Sequence, residues 1–230
     1  MAAASSTVAS LVLADLQGIF GARLEAFVTY APSVSPRPSL GLVRSLEMAD
    51  LASCAARVKA WQHAGAATPV LLTRQEFARS LDVFPVEFGE IIASHETHFG
   101  DDPFAGMVVA SGDLRRACEG QVRSLLLHVR EDYMEAAGAP REVARVVVES
   151  AAEFRALLSL LSRLDGQPLD RQQLAAWAAN RLHLDAKVVS DALHIAHDAD
   201  RSGVDAGRLF PGYLGAIEHL SRHIDEWPDR

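Results

Sequence analysis

Lysine is almost missing from this chain: of its twenty-two basic residues only Lys59 and Lys187 are lysines, and the rest are arginine. Thirty acidic residues outnumber them and set the formal net charge at −8. That balance excludes broad binding to nucleic acid or to an anionic membrane, whose surfaces repel an acidic protein, and leaves room only for a local basic patch. Cysteine is nearly as scarce. Cys54 and Cys118 stand far apart in helical patterns without metal-ligand spacing, which reads as buried thiols in a reducing compartment. Aromatics make up 7%. No apolar run approaches the roughly 20 residues needed to span a bilayer. The opening MAAASSTVASLVLADLQ has no cationic side chain before its apolar run and an acid soon after; it reads as an amphipathic helix rather than a signal peptide. A cytoplasmic location is expected.

Hydrophobic residues make up 49% of the 230, enough for a well-buried core, and the prominence of alanine and leucine favours helix over sheet. Ser5 to Phe20 fits a first helix with Val8, Leu11, Val12, Ile19 and Phe20 on its apolar side. The stretch from Phe27 to Leu46, FVTYAPSVSPRPSLGLVRSL, then reads as strand, proline-rich loop and strand. Met48 to Ala64 is strongly helical and ends at Gly65. A short strand is expected over Pro69 to Leu72, and Thr73 with Glu76 forms a capping box that opens a helix to about Leu81. Phe84 to Ile92 is apolar enough for a further strand, confined to an edge by Pro85 and Gly89. Gly100-Asp101-Asp102-Pro103 is a turn.

Beyond Ser111 the chain becomes helical. Asp113 to Ala137 is one helix closed by Gly138, and Pro140 opens a second that reaches Leu164. Further helices are expected near Asp170 to Leu182, Asp185 to His197 and Asp205 to Trp227, the last with a kink or restart at Pro211-Gly212. The expected fold is therefore α+β: a small mixed α/β domain over residues 1–110, followed by an α-helical bundle over 111–230.

The run PVLLTRQEFARSLDVFPVEFGEIIASHETHFGDDPF, Pro69 to Phe104, and more loosely the closing LFPGYLGAIEHLSRHID, resemble the nucleotidyltransferase superfamily, in its small bacterial type with a C-terminal helical bundle. That resemblance implies a Gly-Ser at the end of the first strand for close approach to a triphosphate. It also implies a D-x-D on the second strand and a third carboxylate on a neighbouring strand, holding two Mg²⁺ ions. Here the first position reads Ala31-Pro32, or Pro32-Ser33 with a one-residue slip, and the D-x-D position reads Ser39-Leu40-Gly41. Only the third retains an acid, Glu90, on the strand expected there. One carboxylate cannot hold two magnesium ions against water, so the catalytic site reads as degenerate. Glu47 and Asp50 fit the first turn of a helix better than a relocated metal site, and Asp82 falls in a loop.

Other constellations yield to plainer readings. His95-Glu96-Thr97-His98 spaces its histidines three apart, where the H-E-x-x-H zinc helix needs four, and reads as a polar strand end. Asp198-Ala199-Asp200-Arg201-Ser202-Gly203 opens like a calcium loop, but Leu209 stands where the bidentate glutamate belongs; a helix–helix turn with Asp205 as cap accounts for it. Arg123 and His128 have the R-x4-H spacing of HEPN ribonucleases, yet lie about 140° apart around a helix. Asp191, His194 and His197, spaced three apart, could share a helical face and hold a metal, but these and His183 read as surface or inter-helix residues. Trp61 and Trp177 read as packing residues.

The functional expectation is a non-catalytic module, ligand-sensing, regulatory or interacting, that keeps a vestigial nucleotide cleft near Tyr30, Ser33, Ser39 and Glu90. No cofactor or metal is expected. The alternative is an active nucleotidyltransferase that uses Mg²⁺ with a nucleotide through relocated carboxylates. Expected partners are a nucleotide or other small ligand, and a protein partner or second copy on an apolar bundle face.

Overall fold

The computed structural model describes residues 2–32, 34–167, 169, 171–196 and 205–227. The chain divides into two compact units, Met1–Ala110 and Ser111–Arg230, and is mixed α+β.

In the first unit a long helix, α1 (Ala2–Phe20), ends where Gly21 adopts a positive φ, and a 3₁₀ turn leads into β1 (Leu24–Tyr30). A hairpin returns as β2 (Ser39–Val43). Helices α2 (Met48–Ala55) and α3 (Val58–His63) precede β3 (Val70–Thr73), and α4 (Arg74–Arg79) and α5 (Pro85–Ala93) lead to β4 (His95–Phe99). The sheet order is β3-β2-β1-β4, with β1 antiparallel to both its neighbours and β3 parallel to β2. One face carries Phe27, Val43 and Leu71 against Leu16 and Phe20 of α1, Cys54 of α2 and Trp61 of α3. The other carries Ala26, Val28, Leu40 and Leu42 against Phe77 of α4, Ile91 of α5 and Phe104.

Three expectations for this unit need correction. Phe84 to Ile92 is helix rather than strand: Pro85 takes the first helical position, Glu87 lies in the first turn, and Ile91 is buried. Phe88, Ile91 and Ile92 recur at helical spacing and cover the sheet face. The polar run His95 to His98, read as a strand end, forms with Phe99 the edge strand β4. The single helix expected from Met48 to Ala64 breaks at Ala56–Arg57, where the Arg57 amide turns back to the Cys54 carbonyl at 2.8 Å. The capping box at Thr73 is present as read: its hydroxyl accepts from the Glu76 amide at 3.1 Å, and Glu76 accepts from the Thr73 amide at 2.7 Å. Gly100 also has a structural reason, since with φ +78° a Cβ there would lie 2.2 Å from the Glu25 carbonyl oxygen.

The second unit comprises α6 (Ser111–Glu135), α7 (Pro140–Leu164), α8 (Arg171–Leu182), α9 (Ala186–Ile195) and α10 (Ala206–Asp225). Helix α7 is its axis, burying Val143, Val147, Ala151, Phe154, Leu158 and Leu161 at helical spacing. Its Ser150 hydroxyl meets Tyr213 Oη of α10 at 2.9 Å, and the Phe154 ring sits edge-on to Tyr213. Asp185 and Asp205 cap α9 and α10. The helix does not restart at Pro211-Gly212: α10 runs through both residues. Pro211 falls in the second turn, where its missing N–H removes one helical bond. Gly212 admits Val188 of α9, whose Cγ2 would lie 2.8 Å from an added Cβ. Among the described residues no helix is long and apolar enough to cross a membrane.

Candidate functional site

The open ends of β1, β2 and β4 gather the polar residues of the first unit. Thr29 of β1 lies in register with Ser39 of β2 and with Glu96 of β4. Strand alternation places Ser39, Thr29 and Glu96 in one row, on the sheet face that also carries Phe27 and Gly41. Thr29 and Ser39 are buried. Between the pairs Val28–Thr97 and Phe27–Phe99 the ladder slips, so His98 is an extra residue in β4. This bulge turns its imidazole onto the row, with Nε2 2.8 Å from Thr29 Oγ1 and the ring 6.0 Å from that of Phe27. Burial lowers the His98 pKa; Glu96 opposes that shift and Arg37 adds to it.

Arg37, from the loop between β1 and β2, closes the site. Its Nη1 donates to Glu96 Oε2 at 2.8 Å. Its Nε is buried and has no hydrogen-bond partner among the described residues. The arrangement is a guanidinium paired to one carboxylate, a half-buried imidazole and two buried hydroxyls at one end of a sheet. It offers directed hydrogen-bond donors without a metal, with the Arg37 charge paired to Glu96.

Of the residues expected to line a nucleotide cleft, those described fall on different elements and faces. Ser39 belongs to the row just described. Tyr30, one residue beyond Thr29, turns to the opposite face and packs against the cluster around Phe77 and Phe104, where burial raises its pKa. Glu90 corrects the reading of a third strand carboxylate: it lies on α5 and is exposed, because the helix directs Phe88, Ile91 and Ile92 inward instead. Ser33 lies outside the described residues. At the D-x-D position, a Cβ on Gly41 would come within 2.9 Å of Leu71 Cδ2 and 3.5 Å of Leu16 Cδ1. A carboxylate has no polar surroundings there.

Among the described residues, Asp50 and Asp82, weighed as relocated carboxylates, are otherwise placed. Asp50 is buried at the start of α2, where it accepts from the Glu47 amide at 3.0 Å. Both its oxygens receive the Arg23 guanidinium at 2.7 Å, which holds its pKa below the usual carboxylate range. Asp82 is exposed in the turn after α4. No group of three or more His, Cys, Asp or Glu among the described residues is placed to hold a metal ion.

The remaining motifs settle similarly. Arg123 is engaged with Asp225 at 2.9 Å and Glu119 at 2.8 Å, and His128 is exposed. Asp191 pairs with Lys187 at 2.7 Å. The calcium-like run 198–203 and His197 lie outside the described residues. Trp61 is fully buried with Nε1 donating to Asp15 at 2.9 Å, and Trp177 donates to Asp165 at 3.3 Å. Two open hollows also occur. One of about 760 Å³ is lined by Ala14, Asp15, Gly18, Ser53 and Arg57; the other, of about 370 Å³, lies where Asp185 and Asp205 cap their helices. In both, the acids are already engaged, Asp15 by Trp61 and the two caps by backbone amides.

Arg37 and Thr29 were not among the residues singled out in the sequence, and Glu96 and His98 entered only as part of a rejected metal pair read as a polar strand end. The signal was present in the polar–apolar mixture of His95 to Phe99, which fits a one-sided edge strand once Phe84 to Ile92 is recognised as helix. No protein-family model matches the chain, and no curated protein matches it.

Proposed function

We propose that the protein is a nucleotidyltransferase-like module that binds an anionic small ligand, a nucleotide included, without catalysing transfer, and that it serves as a sensor or regulator. The supporting observation is the ion pair between Arg37 and Glu96 at 2.8 Å. The single carboxylate in the Ser39–Thr29–Glu96 row is already matched by a guanidinium, where a catalytic site of this superfamily would use carboxylates to hold Mg²⁺. An incoming anion competes with Glu96 for the Arg37 guanidinium and uses its Nε, unpartnered among the described residues, so ligand binding is independent of metal.

Calorimetry with ATP, CTP, GTP and UTP, each with and without Mg²⁺, tests this. Binding that is indifferent to Mg²⁺ and is lost in Arg37→Ala supports the reading. Binding strengthened by Mg²⁺ overturns it in favour of an active transferase. No binding by any of the four removes the nucleotide from the proposal, and failure of inorganic phosphate as well removes the ligand-binding role.

A further inference from the structure

In the second unit, α10 ends in a run of rings. His219 and His223, one turn apart, stack with centroids 5.9 Å apart and planes 15° from parallel. Trp227 meets His223 edge-on at 5.4 Å and is itself buried. Arg181 of α8 lies over the Trp227 ring at 5.4 Å. It is fixed there by Asp165, at the C-terminal end of α7, which accepts from Arg181 Nε at 3.1 Å and from Trp177 Nε1 at 3.3 Å. The Asp165 side chain is only 6% exposed. The chain Trp177–Asp165–Arg181–Trp227–His223–His219 thus ties the ends of α7, α8 and α10 together.

We propose that this run is a proton-operated clasp: neutral His223, stacked on His219, holds the end of α10 and Trp227 against Arg181 of α8, and protonation of His223 releases them. The charges around His223 carry the argument. From α8 it faces Arg181, from the α8–α9 link His183, and on its own helix His219. Glu226 is the acid that attracts a proton there, and it is exposed. Asp225 is already paired with Arg123 of α6, which also binds Glu119, and Asp165 of α7 is committed to Arg181 and Trp177. A second cation would therefore enter beside Arg181 and a stacked imidazole with little to balance it. His219 Nε2 is buried and has no hydrogen-bond partner among the described residues, so the ring stacked on His223 is held there by packing alone. The C-terminal carbonyls of α10 favour a cation, but burial, then His219 and Arg181, outweigh them and lower the His223 pKa. Because the folded pKa lies below the unfolded value of about 6.5, the clasp is intact above that pH and weakens as pH falls through the window beneath it.

Hydrogen exchange of the full chain, corrected for intrinsic rates and followed peptide by peptide, tests the clasp. Between about pH 7.5 and pH 5.5, amides over 217–227 should lose about three- to tenfold in protection, a pKa unit being worth tenfold. Amides in the middle of α7 should keep theirs. His223→Gln, neutral at both values, should abolish the local loss, and His219→Gln should reduce it; the second serves if the first does not fold. Equal protection of 217–227 at both pH values in the wild type would sink the proposal. So would an undiminished loss in either glutamine variant.

Discussion

Gly41 and Asp50 hold the positions where catalytic acids were sought, and each has a structural occupation instead. The missing side chain of Gly41 is filled by Leu71 of β3 and Leu16 of α1. Gly41→Asp therefore does not rebuild a metal site; it buries a carboxylate against leucines with no partner. The expected loss is about 3 kcal/mol or more in urea unfolding, with no gain in Mg²⁺-dependent nucleotide binding. Tight Mg²⁺-dependent binding by this variant would mean that the strand can still accept the chemistry. Asp50 gives a pH signature. Its folded pKa is depressed, first by the Arg23 hydrogen bonds, so its contribution is present above the unfolded value of about 3.9 and is lost as pH falls below it. Asp50→Asn should be less stable than wild type at neutral pH, with the gap narrowing as acid is added. Parallel acid-unfolding curves would show that the pair contributes nothing specific.

At the scale of elements, Thr73→Ala should cost about 1 kcal/mol, measured by urea unfolding, because α4 loses the oxygen that receives the Glu76 amide. A cap is a local contract between residues three apart, and for that reason this helix was legible in the sequence. So were the hairpin strands, whose alternation and proline-rich loop announce them, and α7, whose apolar positions repeat at helical spacing over twenty-five residues. Phe84 to Ile92 was not. A short apolar run containing proline and glycine fits an edge strand as well as a helix, and the sheet face carrying Val28 and Leu40, which needs Phe88, Ile91 and Ile92 as cover, decides between them. Misplacing that one element displaced the candidate site. It put Glu90 on a strand it does not occupy and left His95 to His98 as a strand end. The bulge at His98 and the reach of Arg37 across the row are tertiary events that no local spacing encodes.

For the whole molecule, the relevant fact is that each unit has a core of its own. The two clusters of the first draw only on residues between Val8 and Met107, while the second is organised by α7 and α10 around Phe154, Tyr213 and Ile217. A chain built this way need not unfold as one two-state system. Phe154→Ala distinguishes the cases. Its ring is fully buried beside Tyr213, so its truncation should remove about 3–5 kcal/mol from the unit that contains it. If the cores are energetically separate, only the helical transition moves: circular dichroism falls at lower denaturant, while a probe of the first unit, exchange of the β1 amides, stays at its wild-type midpoint. Were both probes to move together by the full amount, the cores would be unfolding as one cooperative body, and a loosened end of α10 could then be felt at the sheet that carries Arg37.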